Sequence, residues 1–309
     1  MKTLAQSTSK PNLGHPFPKH ASANPMMFNI DEDEATLAVD AAHEALQMAQ
    51  LGPDRVTRLV VVGERAADWG PVAQLALGLR HAKLDLSADG HRPGSAEGVV
   101  LTLHSTGLRA NAVAPAGDVR TEATARLDAD DRHAGDATGP ATTIRHAPGR
   151  VVNPETLERL IRAEAKALAS VPMGAHVPRG TWDAALEARY RLLASVCDHC
   201  KRGHHPPLNP CPMCGGHTRA ESLWKPGRLH TWTIVAAGAG PSEFDPWQEV
   251  WGEYGVAVVE YEHGIRVAGM MADTDPKPLR AGALMEPIFR RLYAQEGVWR
   301  YGTKFRAVR

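Results

Sequence analysis

The sequence predicts an α+β chain of several domains, and three observations carry that reading. Between residues 31 and 104, apolar residues recur at helical spacing and then collect into short β-branched runs. Two Cys-x2-Cys pairs stand close together at 197–214. Five strand-like segments then fill the rest of the chain to its end. With 309 residues there is room for two or more domains, and a hydrophobic fraction of 43% is enough for real cores.

The first element is a helix. Asp31 and Glu34 have the spacing of a capping box, with an Asp carboxylate at the N-cap. Ala35, Ala38, Val39, Ala42, Ala45, Leu46 and Ala49 then form one apolar face, and Gly52-Pro53 stops the helix. Arg58 to Gly63 reads as a buried strand, Pro71 to Leu79 as a short helix with Pro near its start, and Val99 to His104 as another strand. Residues 87–98 and 128–150, rich in Gly, Asp, Ala and Pro, read as loops or linker. Asn153 to Ser170 forms a helix capped by Asn153 with Pro154 at its first position. Thr181 to Val196 forms another, with Trp182, Leu186, Tyr190 and Leu193 on one stripe. After the cysteines, Arg228–Ala237, Gly255–Glu262, Gly264–Ala272, Ala283–Leu292 and Val298–Val308 read as strands, with a tight turn at Glu262-His263-Gly264. Five short strands in so short a stretch suggest a small closed barrel of the OB type.

Composition removes several classes of function. The chain has 35 basic and 35 acidic side chains, so it is not a globally basic nucleic-acid coat. No apolar run approaches the roughly 18 residues that span a bilayer, and Met1 to His20 lacks the apolar stretch of a signal peptide. The expected location is cytoplasmic, with no membrane partner. Residues 1–28, dominated by Ser, Thr, Pro, Lys and His, read as a disordered leader.

Cys197, Cys200, Cys211 and Cys214 are the strongest chemical signal in the sequence. Each pair can form a knuckle whose tight turn aims two thiolates at one ion, with Gly203 and Gly215 supplying permissive backbone. Four thiolates fill a tetrahedral zinc shell and leave no open position. Iron takes the same ligands in a rubredoxin-like site, and two disulfides are the remaining alternative. His199, His204 and His205 are surplus to a full shell and read as solvated loop residues. All four cysteines of the chain belong to this group, which leaves no thiol for acyl transfer. No HExxH, GxSxG or P-loop pattern marks another active site.

Helix, knuckles and strands together resemble the zinc-ribbon/OB-fold family once catalogued as domain of unknown function 35. The residues that carry the resemblance are Trp182 to Tyr190, the CDHC and CPMC knuckles, Gly227-Arg228-Leu229-His230-Thr231-Trp232-Thr233, Val256 to Tyr261, Gly264-Ile265-Arg266-Val267 and Lys304-Phe305-Arg306. Members of that family associate with thiolases, sterol side-chain aldolases, or acetyltransferases that build acylphloroglucinols or mevalonate precursors, and are implicated in binding acyl-CoA. Residues 31–79 are similar to the first helix and strand of a hydroxymethylglutaryl-CoA synthase. The stretch from Leu79 to Val99 has no Cys and is too short for the helix that bears that family's nucleophile.

These resemblances imply a fold class of α+β multi-domain type. A disordered leader (1–28) precedes a truncated thiolase-like α/β segment (29–150). A helical linker (151–196), a rubredoxin-like zinc ribbon (197–226) and a five-stranded OB-fold barrel (227–309) follow. The implied function is a non-catalytic accessory subunit of a thiolase-superfamily complex that helps bind or channel an acyl-CoA. Thiolysis of an aromatic or steroid acyl-CoA in degradation is the expected setting. One structural Zn2+ per chain and acyl-CoA as ligand of the complex are the implied cofactors. A thiolase-fold subunit, in an α2β2 assembly, is the implied partner, and no nucleic acid is. The apolar helix face of 29–150 is expected to need a partner surface. Lys225, Arg228, Lys304 and Arg306 suit CoA phosphates, or are solvated charges. Trp224, Trp232, Trp247, Trp251 and Trp299 offer apolar wall for the ligand, or ordinary packing. The alternative from another class is a single-stranded nucleic-acid binder, since ribbons and OB-folds both serve that role. Glu253, Glu260, Glu262, Asp273 and Asp275 among the cations weigh against it.

Overall fold

The computed structural model describes residues 34–63, 66–87, 99–104, 109–113, 122–127, 141–144, 154–169, 179–245, 247–248, 252–272, 274–295 and 297–308. The expected leader at 1–28, the cap at Asp31, Trp251 and Asp273 lie outside them. The chain divides into two compact units, Met1–Val151 and Val152–Arg309.

In the first unit, α1 (Glu34–Met48), β1 (Val56–Val62), α2 (Ala66–Ala76), β2 (Lys83–Ser87), β3 (Val99–His104), β4 (Arg109–Val113), β5 (Glu122–Leu127) and β6 (Ala141–Ile144) follow in order. They build a six-stranded sheet in the order β2-β1-β3-β4-β5-β6. β1 runs parallel to β2 and β3, β3 through β5 alternate, and β6 returns parallel to β5. Two expectations change here. The second helix begins at Ala66, five residues before Pro71, so the proline sits inside it. The expected linker at 128–150 contains β6, and the expected loop at 87–98 begins at the last residue of β2.

Helix α1 also corrects the expectation that its apolar face lies open. Ala35, Thr36, Leu37, Ala38, Val39, Ala41, Ala42, Ala45 and Leu46 are all buried, while half-buried Asp40 and Glu44 and exposed Gln47 form a polar strip on one side. Its neighbours are β3, β4, β5 and α2. Alanine at so many positions lets these elements approach closely.

The second unit opens with α3 (Pro154–Ala169) and α4 (Arg179–Arg191). The stripe ending in Leu193 predicts a helix running to Val196, but the helix stops at Arg191. Leu192 takes φ 48°, and Leu193–Cys197 becomes strand β7. β7 lies between β8 (Gly203–His204) and β9 (Thr218–Ser222) in a three-stranded sheet. β10 (Gly227–Val235), β11 (Tyr254–Glu260), β12 (Arg266–Met270), β13 (Leu284–Gln295) and β14 (Val298–Ala307) match the five expected strands to within a few residues. Their sheet order is β12-β11-β10-β13-β14. It does not close by a continuous ladder. The outer strands meet where Met271 bridges Phe305 in parallel sense and the Ala272 N–H donates to the Phe305 carbonyl at 2.9 Å.

One core joins the two sheets of this unit. Leu192, Ala194, Val196 and Leu223 from the smaller one pack with Leu229, Ala257, Val259, Ile265, Val267, Met285 and Phe305 from the larger. α3 lies against β13 and β14, and the Gly297 N–H donates to the Ala167 carbonyl at 2.9 Å. Among the described residues of this unit, four charged side chains are buried: Glu164 on α3, Arg290 and Arg291 on β13, and Lys304 on β14.

Candidate metal centre

The two knuckles repeat one backbone design. In the first, the Lys201 N–H donates to the Cys197 carbonyl at 3.1 Å and the Cys197 N–H to the Arg202 carbonyl at 2.9 Å. In the second, the Gly215 N–H donates to the Cys211 carbonyl at 2.8 Å and the Cys211 N–H to the Gly216 carbonyl at 2.9 Å. The turn needs a left-handed residue four places after the first cysteine. Gly215 fills it at φ 72°, and Lys201 fills it at φ 61°. Gly203 is therefore not the permissive residue of the first knuckle. It belongs to β8, where a Cβ would lie 2.1 Å from Ile265 Cγ1, and its lack of a side chain lets the ribbon close onto the turn before β12.

Further contacts fix the segment between the knuckles. The Leu208 N–H donates to Ser195 Oγ, and Ser195 Oγ donates to the Leu208 carbonyl, both at 3.0 Å. Thr218 Oγ1 donates to the same carbonyl at 2.6 Å. Ser195 and Thr218 are buried, so these hydroxyls hold the loop from beneath. Asp198 joins the first knuckle to β9 through His217 Nδ1 at 2.9 Å. That contact, with the charge of Arg219 adding to it, holds the Asp198 carboxyl below its ordinary range.

The four sulfurs converge, each within 4.8 Å of the others. Cys197 Sγ lies 3.5 Å from Cys214 Sγ and Cys200 Sγ lies 3.7 Å from Cys211 Sγ. A disulfide brings its sulfurs to about 2.05 Å, so these pairs are not bonded. Four sulfurs at about 2.3 Å from a central zinc stand about 3.8 Å apart, which these spacings fit. Cys197 and Cys211 are buried, at 0% and 1% exposure, while Cys214 is exposed. Backbone amides favour the ionised form: the Cys200 N–H, then that of His199, hold the Cys197 thiol down at about 6. At Cys214 the Gly216 N–H pulls the same way, but the neighbouring Cys197 sulfur outweighs it, together with burial and the other two sulfurs, and keeps that thiol up at about 11. A cation among the four removes this conflict.

The histidines are not all idle in solvent, as the sequence suggests. His199 is exposed, but His204 is half-buried with Nε2 3.3 Å from Cys211 Sγ, and His205 Nδ1 lies 2.9 Å from the Leu193 carbonyl. A second group, Glu221, Glu262 and His263, brings its ligand atoms as close, but Lys225 already pairs with both carboxylates at 3.5 and 3.3 Å.

The five residues expected to face a ligand differ in exposure and in partners. Lys225 is exposed and held by those two glutamates. Arg228 is exposed, with Nη1 donating to the Gly282 carbonyl at 3.4 Å. Trp232 is half-buried against the core, and Arg306 is ion-paired with Glu286. Lys304 is a correction: at 0% exposure it faces no solvent, and its Nζ lies 5.0 Å above the Trp247 ring. Trp247 is buried with it, and Trp299 receives the Arg291 guanidinium at 4.3 Å. Lys201 and Glu164 are among the features that sequence reading misses here. Lys201 is findable from its spacing, since it stands after Cys197 as Gly215 stands after Cys211. Glu164 gives no signal, because on α3 it is one charged residue among many.

Comparison with known proteins agrees with this geometry. Residues 184–218 match the family described as "ChsH2, rubredoxin-like zinc ribbon domain". A "DUF35 domain-containing scaffold protein" of Methanothermobacter thermautotrophicus is 31% identical over 122 residues, 38% of this chain and 87% of that protein. The protein of the same name in Methanocaldococcus jannaschii is 29% identical over 125 residues, 40% of this chain and 86% of its own. That of Pyrococcus furiosus is 31% identical over 125 residues, 39% of this chain and 85% of its own. A solved structure described as "Ltp2-ChsH2(DUF35) aldolase" aligns at 22% identity with a TM-score of 0.32, covering 43% of this chain and 98% of that one. A rubredoxin-like ribbon with four convergent cysteines, and relatives matched over most of their length, place this chain in the DUF35 family.

Proposed function

We propose that this chain is a non-catalytic accessory subunit of a thiolase-superfamily complex, helping to bind or channel an acyl-CoA. The observation that carries the reading is the fate of its cysteines. The sequence holds four, and all four converge in the ribbon, so none remains to attack a thioester. The curated relatives named as scaffold proteins support the same role. In this reading the ion is a structural Zn2+, held by Cys197, Cys200, Cys211 and Cys214, one per chain. Its chemistry is to tie β7, β8 and β9 together with no position left open for a substrate.

The larger sheet supports an OB-type barrel. Its strand order, and the single parallel bridge between Met271, just past β12, and Phe305 on β14, support a partly open five-stranded Greek-key barrel. Lys225, Arg228, Trp232 and Arg306 are the residues on this unit proposed to meet CoA. The segment 29–150 is proposed as a docking surface, the assembly as α2β2, the location as cytoplasmic. The acyl group is proposed to be aromatic or steroidal, undergoing degradative thiolysis.

Co-expression with a thiolase-fold protein encoded beside it tests the role. The expected result is one co-eluting complex whose thiolase turnover exceeds that of the enzyme alone, while this chain alone has none. Turnover by the chain alone, with no copurified enzyme, overturns the reading, as does a monodisperse monomer showing no heat of binding to that neighbour.

A further inference from the structure

We propose that His204 is a positioning residue of the metal centre, its Nε2–H donating a hydrogen bond to the Cys211 thiolate. This rests on the reading of the four cysteines as a metal shell. Four thiolates around a divalent ion leave roughly two negative charges in excess, in a site where two of the sulfurs are buried. Such charge is stabilised by donors aimed at the sulfurs. The Cys200 N–H reaches Cys197 Sγ at 3.4 Å, and the Gly216 N–H serves Cys214. At Cys211 the donor in view is a side chain, His204, at 3.3 Å.

The direction of that bond follows from chemistry. A metal-bound thiolate has no proton to give, so the ring nitrogen facing it must carry one. The ring is also held in place. His204 pairs with Ser195 and Gly203 with Val196 across the β7–β8 ladder, and Gly203 is pressed against Ile265. The next residue, His205, is tied to the Leu193 carbonyl. β8 is two residues long, and these contacts on either side of His204 set where its imidazole points.

The test uses the full chain loaded with zinc or cobalt, and compares His204→Phe, which keeps a ring without a donor, with His204→Gln, which keeps an N–H. Competition with a chromophoric chelator is expected to show roughly tenfold weaker zinc binding for the Phe variant, with the Gln variant within about threefold of wild type. The sulfur-to-cobalt charge-transfer band is expected to move to longer wavelength in the Phe variant alone, because losing a donor raises the energy of the sulfur lone pairs. Equal affinity and spectrum in wild type and Phe variant overturn the proposal. So does equal impairment of both variants, which marks a purely structural role. If the Phe variant does not fold, NMR of the unmutated chain loaded with NMR-active cadmium decides. A scalar coupling from the Nε2 proton to the metal supports the bond, and an unprotonated Nε2 overturns it. A wild-type chain that takes up neither metal instead removes the metal reading itself.

Discussion

Four sulfurs within 4.8 Å of one another cannot all ionise unless a cation sits among them. Replacing any one with Ser is therefore expected to lose the metal, and Cys214→Ser is the cleanest case because that residue is exposed. Metal content by mass spectrometry should fall from one zinc per chain to a small fraction, with a lower melting temperature, since the binding energy of a structural site is folding energy. Full stability of the wild type after chelation would refute this. Glu164 makes a second prediction at this scale. It is 3% exposed, and neither carboxylate oxygen has a partner with hydrogen-bond geometry. Burial pushes its pKa from 4.5 up to about 7, and the nearby Arg291 charge and Trp247 indole offset only part of that. Between those two values the folded state keeps a proton that the unfolded chain has released. The contribution is thus fully present below 4.5 and is lost as pH rises through about 7, in all about 3 kcal/mol. Glu164→Gln should remove the slope, becoming more stable than wild type at about pH 8 relative to about pH 5. Denaturant midpoints at the two pH values check it, and parallel curves for both proteins would count against it.

At the scale of elements, the knuckles show how backbone geometry, more than side-chain chemistry, selects residues. Lys201 and Gly215 occupy the same left-handed position, one with a Cβ and one without. Gly215→Ala is expected to destabilise by about 1 kcal/mol, since nothing lies within 4 Å of the added carbon and only the conformation is penalised. Lys201→Gly should be neutral or stabilising by less than about 1 kcal/mol, relief of the strained φ being offset by greater freedom when unfolded. Gly203→Ala fails for a different reason. Its Cβ overlaps Ile265, so a loss of about 1–3 kcal/mol is expected, recovered in part by Ile265→Ala, which removes the overlapping Cγ1 and Cδ1. Thermal unfolding of the zinc-loaded variants measures all three. Legibility followed the same physics. The five C-terminal strands were readable because turn residues punctuate them and β-branched residues fill them. The end of α4 was not, because Leu193 continues the helical stripe while Leu192 breaks the helix by its conformation alone. β2 (KLDLS), β4 (RANAV) and β5 (EATARL) carry little of the β-branched signal, and pairing in the sheet overrides their weak local preference. The four ligands were fully legible from spacing. The support from Ser195, Thr218 and His204 was not, since it depends on how β7, β8 and β9 fold together.

At the scale of the molecule, the curated relatives match about two-fifths of this chain yet cover 86% and 87% of their own length. Among the described residues, the core shared by the ribbon and larger sheet begins at Leu192, just past the end of α4. A chain of residues 152–309 is accordingly expected to fold alone, with one zinc bound and cooperative unfolding, and heteronuclear NMR of that fragment checks it. Loss of dispersed signals would mean that this core depends on the first unit. The docking role proposed for the first unit cannot rest on the helix face that its sequence suggests. The apolar residues of α1 are already covered by β3, β4, β5 and α2, so any docking surface on 29–150 must be another one. If that segment does dock a thiolase-fold partner, deleting it should weaken association by a large factor while leaving zinc in place, since an obligate interface buries more than about 2,000 Å² and cannot be halved without consequence. Calorimetry of the full chain and the 152–309 fragment against the same partner separates the cases. Unchanged affinity would assign the contact to the ribbon and larger sheet, whose exposed Leu208 and Met213 on the knuckle loops then become the first residues to substitute.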